Sequence, residues 1–192
     1  MQPNTDSKTW ANLKAAYAAE CGVRTKYDYF AGIAKKEGYE QISAIFKDTA
    51  SNEKEHAEIW FKQLYGESSS TLDNLKSAAQ AEHEEWTQMY RRFAEEAIEE
   101  GYPEIASLFE GVAGIEHEHQ DRYDALVQNF TAQPQRIFFK DSEVVWVCRN
   151  CGHVHTGSDA PKVCPVCAHP QGYFELKANG GKFDMIGLSH YP

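Results

Sequence analysis

The chain has 192 residues, of which 42% are hydrophobic and 12% aromatic, and it carries a formal net charge of −10 at pH 7. This composition predicts a folded globular protein with one sizeable core, or one domain with a small appendage. The acidic balance argues against a nucleic-acid partner, because a phosphate backbone would repel it. No apolar run approaches the roughly 20 residues of a membrane span, so no membrane partner is expected.

The N-terminal segment MQPNTDSKTW lacks a basic stretch followed by an apolar stretch, which argues against a signal peptide. Five cysteines are present, and four of them form two Cys-x-x-Cys pairs near the C-terminus. In a reducing compartment, such clustering favours a metal site over disulfides. We therefore expect a cytoplasmic protein.

Residues 8–130 show helical spacing of apolar side chains almost throughout. Breaks fall at Glu37-Gly38, within 65–71 and at 100–103, where Pro103 suits the first turn of a new helix. The pattern predicts four helices, at about 8–37, 39–65, 71–100 and 102–130.

The helical region is duplicated. The segment KKEGYEQISAIF (35–46) resembles IEEGYPEIASLF (98–109) at an offset of 63, whereas NLKAAYAAE (12–20) resembles NLKSAAQAE (74–82) at an offset of 62. Each half is therefore expected to form a helical hairpin. The second half holds one extra residue between positions 82 and 98, which predicts a π-bulge, a feature often found at functional sites.

The spacing Glu-x-x-His occurs twice, at 53–56 and at 116–119. Residues three apart share one face of a helix, and Glu20 and Glu82 fall at the same height as these pairs when counted from the hairpin turns. Glu85 shares a face with Glu82. One Glu from each of two helices and Glu-x-x-His from each of the other two is the di-metal carboxylate pattern. The predicted ligands are Glu20, Glu53, His56, Glu82, Glu85, Glu116 and His119.

Either Glu-x-x-His pair taken alone is also compatible with a solvent-exposed helix face that binds no metal. The two pairs occupy equivalent positions in the repeat, however, and this favours a metal site. Two tyrosines, Tyr27 and Tyr90, lie two turns from Glu20 and Glu82 on similar faces. Tyrosines so placed are either core residues or hydrogen-bond donors to metal-bound carboxylates.

After Phe130 a short polar linker leads to a β-branched and aromatic region, which predicts a small module of β-hairpins at about 137–180. It contains four cysteines spaced Cys148-x2-Cys151-x12-Cys164-x2-Cys167. Two such pairs predict a tetrahedral four-thiolate site. Spacing alone does not separate zinc, a structural clip, from iron, a one-electron carrier.

Together these motifs resemble the rubrerythrin family over about residues 8–176, including AEHEEWTQMY (81–90) and WVCRNCGHVHTGSDAPKVCPVCAHP (146–170). The resemblance implies an all-α ferritin-like four-helix bundle at 1–131 that binds two iron ions, bridged by carboxylates. It further implies a linker at 132–137 and a small β-rich rubredoxin-like domain at 138–192 with one iron ion on four cysteines.

The resemblance also implies a peroxidase that reduces hydrogen peroxide to water in oxidative-stress defence. Electrons would pass from the four-cysteine iron to the di-iron site, supplied by a redox donor protein such as a rubredoxin or an NAD(P)H-dependent reductase. One iron would be bound by Glu20, Glu53, His56, Glu85 and Glu116, and the other by Glu53, Glu82, Glu116 and His119. By the same resemblance, His56 and Glu85 exchange on oxidation, and Tyr27 and Tyr90 support the carboxylates, so these four residues are the expected catalytic groups.

The connection between the second and third helices is short for this fold. Crossing a helix of 27 residues, about 40 Å long, takes roughly 12 extended residues, whereas Gly66 to Thr71 supplies six, about 20 Å. We therefore expect a domain-swapped homodimer in which each di-iron site draws on two chains. An up-down-up-down bundle would also align the ligand heights, so the expectation rests on family topology and linker length together.

Two other functions fit parts of the sequence. A ferritin-like iron oxidase or iron-handling protein would use the carboxylates, but it needs no dedicated four-cysteine electron donor. A metal-stabilised interaction protein with zinc on the cysteines would leave the carboxylate cluster unexplained.

Overall fold

The computed structural model describes residues 3–66, 70–132 and 137–177. The chain divides into two compact units, Met1–Ser69 and Ser70–Pro192, and each is described on its own below. Most of the predicted linker at 132–137 and the C-terminal tail lie outside the described residues. Among the helices that are described, none combines the length and apolar character needed to cross a membrane.

The first unit is a helical hairpin of α1 (Lys8–Lys36) and α2 (Glu40–Tyr65). Gly38 takes a φ of 86°, which lets the chain reverse within a few residues. Small side chains bring the two helices close together, because Ala31, Ala34 and Ser43 are buried at their contact. The Ser43 hydroxyl donates to the Ala31 carbonyl across that contact at 2.8 Å, so the one buried hydroxyl there is satisfied.

The second unit begins with another helical hairpin, and its first arm is interrupted. It comprises α3 (Thr71–Glu84), a single π-turn (Glu85–Met89), α4 (Tyr90–Glu99) and α5 (Pro103–Ala132). The π-turn confirms the bulge that the duplication predicts and narrows its position to five residues. The predicted helix at 71–100 is therefore confirmed with its bulge, since the extra residue is absorbed by i→i+5 bonding.

The second hairpin closes as the first one does. Gly101 has a φ of 85°, and Ala94, Ala97 and Ala106 are buried at the helix contact. Four long helices followed by a small antiparallel sheet confirm the predicted fold class.

The remainder of the second unit is a three-stranded antiparallel sheet in the order β2-β1-β3. Its strands are β1 (Phe139–Cys148), β2 (Val154–Asp159) and β3 (Phe174–Leu176). Trp146 is 1% exposed and donates its indole N–H to the Gly157 carbonyl at 3.1 Å. Trp146 packs in one cluster with Cys148, Cys164 and Phe174, so the small core is built directly against two of the cysteines.

Candidate metal centres

The first hairpin brings one residue of α1 together with two of α2. Ligand atoms of Glu20, Glu53 and His56 all lie within 4.8 Å of one another. The Nδ1 atom of His56 is 2.8 Å from Glu53 Oε2 and 3.9 Å from Glu20 Oε2. Both carboxylates are half-buried, and the imidazole is exposed. Two carboxylates and an imidazole converging in this way can hold a metal ion.

The second hairpin repeats the arrangement with Glu82, Glu116 and His119, whose ligand atoms also lie within 4.8 Å of one another. His119 Nδ1 is 2.6 Å from Glu116 Oε2 and 3.7 Å from Glu82 Oε2. Burial raises the pKa of Glu82, as do the hydrogen bond and charge of Glu116 and the charge of Glu85, while His119 acts in the opposite direction. A bound cation would offset the repulsion between carboxylates that lie this close together.

Glu85 does not join the second group. Among the described residues, the metal-capable group on this hairpin contains Glu82 but not its neighbour one turn later. Glu85 still lies close enough for its charge to raise the pKa of both Glu82 and Tyr90. The structure therefore brings six of the seven predicted helical ligands into two groups of three, and the ligand role of Glu85 stays a prediction.

The predicted tyrosines occupy matching positions in the two hairpins. The ring centroid of Tyr27 is 6.1 Å from that of Phe46, and the ring centroid of Tyr90 is 6.1 Å from that of Phe109. The pKa of Tyr90 is raised by burial first and then by the nearby carboxylates. The charges of Glu85, Glu116 and Glu82 thus act on the Tyr90 phenol, which places its hydroxyl near this carboxylate group.

Residues beside the predicted ligands form a polar network that the sequence did not predict. The indole N–H of Trp86 donates to Gln120 Oε1 at 2.7 Å, and Nδ1 of His83 lies 3.1 Å from the same oxygen. His83 is expected from its helix face to be a non-ligand, and its described partner is this amide. The partners are 34 and 37 residues apart, so no local pattern could indicate them.

The four cysteines converge in the sheet module. Their sulfur atoms lie within 4.8 Å of one another, with 3.7 Å between Cys148 and Cys167 and 3.7 Å between Cys151 and Cys164. Cys148 and Cys164 are buried, whereas Cys151 is exposed. The cluster therefore has a buried side and an edge that faces solvent.

The two cysteine loops are built alike. The backbone N–H of Cys148 donates to the His153 carbonyl at 2.9 Å, and that of Cys164 donates to the His169 carbonyl at 2.8 Å. Gly152 and Ala168, each directly after the second cysteine of its pair, both have positive φ, at 76° and 58°. This shared turn directs both sulfurs of each loop toward one point.

The thiols of this cluster compete for protons. The backbone N–H of His169 donates to the Cys167 sulfur and lowers its pKa to about 6. The backbone N–H of His153 acts in the same direction on Cys151, but hydrogen bonds from the other thiols and burial outweigh it and raise the pKa of Cys151 to about 12. A metal ion that binds these four sulfurs displaces the protons they share and is held by the resulting thiolates.

The donor chemistry thus fits three metal ions. The carboxylate and imidazole groups of the helices fit a di-iron site, and the four thiolates fit one further iron ion.

Comparison with known proteins matches the helical region and the four-cysteine region to two separate family models. The family model described as "Rubrerythrin" matches residues 11–127, and the one described as "Rubrerythrin, rubredoxin-like domain" matches residues 146–175. A rubrerythrin of Porphyromonas gingivalis is 47% identical over 186 residues, covering 90% of this chain and 92% of that protein. Rubrerythrins of Clostridium perfringens and Nitratidesulfovibrio vulgaris are 44% and 43% identical, each covering 88% of this chain and 94% of the relative.

Proposed function

This chain belongs to the rubrerythrin family, and from that premise we propose that it is a peroxidase that reduces hydrogen peroxide to water. The reaction adds two electrons and two protons to one peroxide, cleaves its O–O bond and releases two water molecules. The two iron ions of the helical site, when bound, supply these electrons.

One observation carries the proposal: the chain joins carboxylate–histidine metal groups to a four-thiolate group. Iron on four thiolates changes charge by one electron without changing its ligands, so it serves as an electron carrier. A site that only stored or oxidised iron would not need such a carrier on the same chain. The presence of both kinds of metal group on one chain therefore favours an enzyme that reduces an oxidant over an iron-handling protein.

Each hairpin groups three metal-capable residues, fewer than a di-iron site needs, so we propose that two hairpins combine. Each also leaves large apolar side chains exposed: Ile42, Ile45 and Ile59 on the first, and Ile105, Leu108 and Ile115 on the second. Such surfaces are usually covered in a functional assembly. Because α2 ends at Tyr65 and α3 begins at Thr71, we propose a domain-swapped homodimer that pairs hairpins from different chains.

We propose that Glu53 and Glu116 would help to hold both iron ions. His56 would hold one of them in the ferrous state, which accepts imidazole, and Glu85 would hold it in the ferric state, which prefers carboxylate oxygen. The Tyr90 hydroxyl, whose raised pKa keeps it protonated, is proposed to orient a ligating carboxylate by hydrogen bonding, with Tyr27 in the matching place.

Electrons are proposed to enter at the exposed edge of the four-cysteine cluster. Cys151 lies at that edge, where a donor protein can approach its sulfur closely. The donor is proposed to be a rubredoxin or an NAD(P)H-dependent reductase. A cytoplasmic location stays a prediction.

The test is steady-state peroxide consumption by iron-loaded protein with NADH and a surrogate reductase. Peroxide loss should match NADH oxidation one for one and should require iron in both sites. An iron-handling protein would instead oxidise added ferrous ions with little NADH-dependent peroxide loss, and that outcome would contradict the proposal.

A further inference from the structure

The π-turn is fastened to α5 through one side chain. Gln120 Oε1 accepts from the Trp86 indole at 2.7 Å and lies 3.1 Å from His83 Nδ1, while Gln120 Nε2 donates to Asp124 Oδ2 at 3.0 Å. The two donors flank Glu85 closely in sequence, on either side of the start of the π-turn. The helix that carries Glu85 is thus hydrogen-bonded to its neighbour two residues before and one residue after that residue.

The chemistry of the three groups fixes how the amide is oriented. An indole nitrogen only donates, so Gln120 must present its oxygen to Trp86. An amide oxygen only accepts, so His83 must carry its proton on Nδ1 to bond there. The amide nitrogen then faces Asp124, whose carboxylate accepts. Each polar atom that faces the Gln120 amide therefore has a hydrogen-bond partner, and a fully paired network of this kind is rigid.

Ring contacts hold the indole in the same place. The Trp86 and His117 rings are 4.4 Å apart, so a second residue of α5 packs on it. The Thr87 hydroxyl, inside the π-turn, donates to the His83 carbonyl. Hydroxyls that bond back to the preceding turn bend a helix locally, which favours the wider turn at this position.

We propose that Gln120 is a positioning residue that selects where the π-turn forms and thereby sets the direction of Glu85. An extra residue can be absorbed at several places along a helix, and each one-residue shift rotates the side chains between the old and new positions by about 100°. Moving the π-turn toward the N-terminus would turn Glu85 away from the face that Glu82 occupies. Moving it toward the C-terminus would turn Tyr90 away instead. This inference rests on the proposed function in one respect, that Glu85 is the carboxylate that exchanges with His56.

Three variants and one control separate the bonds that Gln120 makes. Gln120→Leu removes all of them. Gln120→Glu still accepts from Trp86 and His83 but sets two carboxylates against each other at Asp124. Gln120→Glu combined with Asp124→Asn restores a complete network, because the new amide donates to the new carboxylate. Gln128→Leu, at an exposed glutamine on the same helix, is the matched control.

The first measurement needs no redox chemistry. In zinc-substituted full-length protein, which is diamagnetic, the indole ¹H–¹⁵N signal of Trp86 should move upfield in Gln120→Leu and stay downfield in the double variant. Amide hydrogen exchange over residues 83–90 should be about tenfold faster in Gln120→Leu, as expected when one or two ordinary hydrogen bonds are lost. The double variant should return to wild-type exchange, and Gln128→Leu should match the wild type throughout.

The second measurement asks whether the effect acts through Glu85. Misplacing this carboxylate weakens the preference of its iron for the ferric state, so the midpoint potential of the iron-loaded helical site should rise in Gln120→Leu. A tenfold weaker preference corresponds to about 59 mV for one electron. Glu85→Ala should raise the potential similarly, and adding Gln120→Leu to Glu85→Ala should change it no further.

Unchanged indole signal and exchange in Gln120→Leu would overturn the proposal. So would faster exchange with an unchanged potential, because Gln120 would then only stabilise the helix. Additive effects of Gln120→Leu and Glu85→Ala would also overturn it. None of these results depends on peroxide turnover, so a failure of the peroxidase assignment is seen separately.

Discussion

The Nδ1 atom of His56 lies 3.9 Å from a carboxylate oxygen of Glu20 on the neighbouring helix. The second hairpin repeats this relationship with 3.7 Å between His119 and Glu82. Two hairpins with different sequences thus present the same three-ligand geometry. Because a di-iron site needs ligands from four helices, we propose that each hairpin is one half of a site.

Complementation between inactive chains tests the proposed helix swap. One chain carries Glu53→Ala and His56→Ala, and the other carries Glu116→Ala and His119→Ala, so each alone lacks two of the seven predicted ligands. In a swapped heterodimer, one site receives both intact hairpins, and half of the wild-type di-iron content and activity per heterodimer should return.

Without the swap, every site in the mixture would contain one damaged hairpin. Co-expressed, purified heterodimer that binds no iron in its helical site would therefore count against the swap. A mixture of the two chains that cannot exchange subunits is the matched control.

Replacing one cysteine tests the electron route. Cys151→Ser should abolish turnover with an external reductant, because hard hydroxyl oxygen is a poor ligand where iron needs a fourth thiolate. Chemically reduced Cys151→Ser protein should still be oxidised once by peroxide at the helical site. Steady-state turnover equal to that of the wild type would show that electrons enter elsewhere. Cys21→Ser, outside the cluster, is the control substitution.

The two histidines should not be equivalent. His56→Ala removes a ligand needed mainly by the ferrous state, so the midpoint potential should fall, by about 59 mV per tenfold loss of ferrous affinity. His119→Ala removes a ligand of both states and should weaken iron binding by more than the about 10–100-fold typical of losing a supporting outer residue. Potentiometric titration measures the change in midpoint potential expected for His56→Ala, and iron analysis measures the loss of iron expected for His119→Ala. Equal loss of iron in both variants would contradict the exchange.

The crowding around Glu82 predicts how stability depends on pH in metal-free protein. Its pKa is raised on folding, chiefly by burial and Glu116, so the folded state holds this proton more tightly than the unfolded state. The stabilisation is present at low pH and is lost as pH rises from the ordinary glutamate value, about 4.3, through the raised pKa.

Thermal unfolding of metal-free wild type and Glu82→Gln across this pH range measures the effect. The melting temperature of the wild type should fall more with rising pH than that of Glu82→Gln, which cannot ionise. Bound divalent metal should remove the difference by replacing the proton. If the melting temperatures of the two metal-free proteins changed with pH in the same way, ionisation of Glu82 would not be the source of the pH dependence.

Much of the fold follows from local sequence. The hairpin turns were predictable because Gly38 and Gly101 are placed where a left-handed residue must end a helix. The duplication was visible as sequence similarity, and it predicted an inserted residue between Glu82 and Ile98. The position of the π-turn within that interval was not predictable, because the bond from Trp86 to Gln120 joins residues far apart in the chain.

Burial was the other point that spacing alone could not settle. Ile42, Ile45 and Ile59 follow helical periodicity, yet Ile45 is 57% exposed, whereas buried alanines make the helix contact. Periodicity identifies an apolar face but not the partner that covers it. The helical ligand spacing, by contrast, depends only on i,i+3 geometry, and so Glu53 and His56, like Glu116 and His119, were correctly placed together.

Redox titration of the iron-loaded protein tests the peroxidase assignment most directly. Protein reduced with dithionite under anaerobic conditions, then freed of reductant, is titrated with hydrogen peroxide while its visible absorption is followed. The reduced protein holds three electrons per chain, two on the helical irons and one on the four-cysteine iron, and each peroxide accepts two. About one and a half peroxides per di-iron site should therefore restore the fully oxidised spectrum, with no oxygen released. Reduced protein that stays reduced in stoichiometric peroxide, or that releases oxygen from it, would contradict the account.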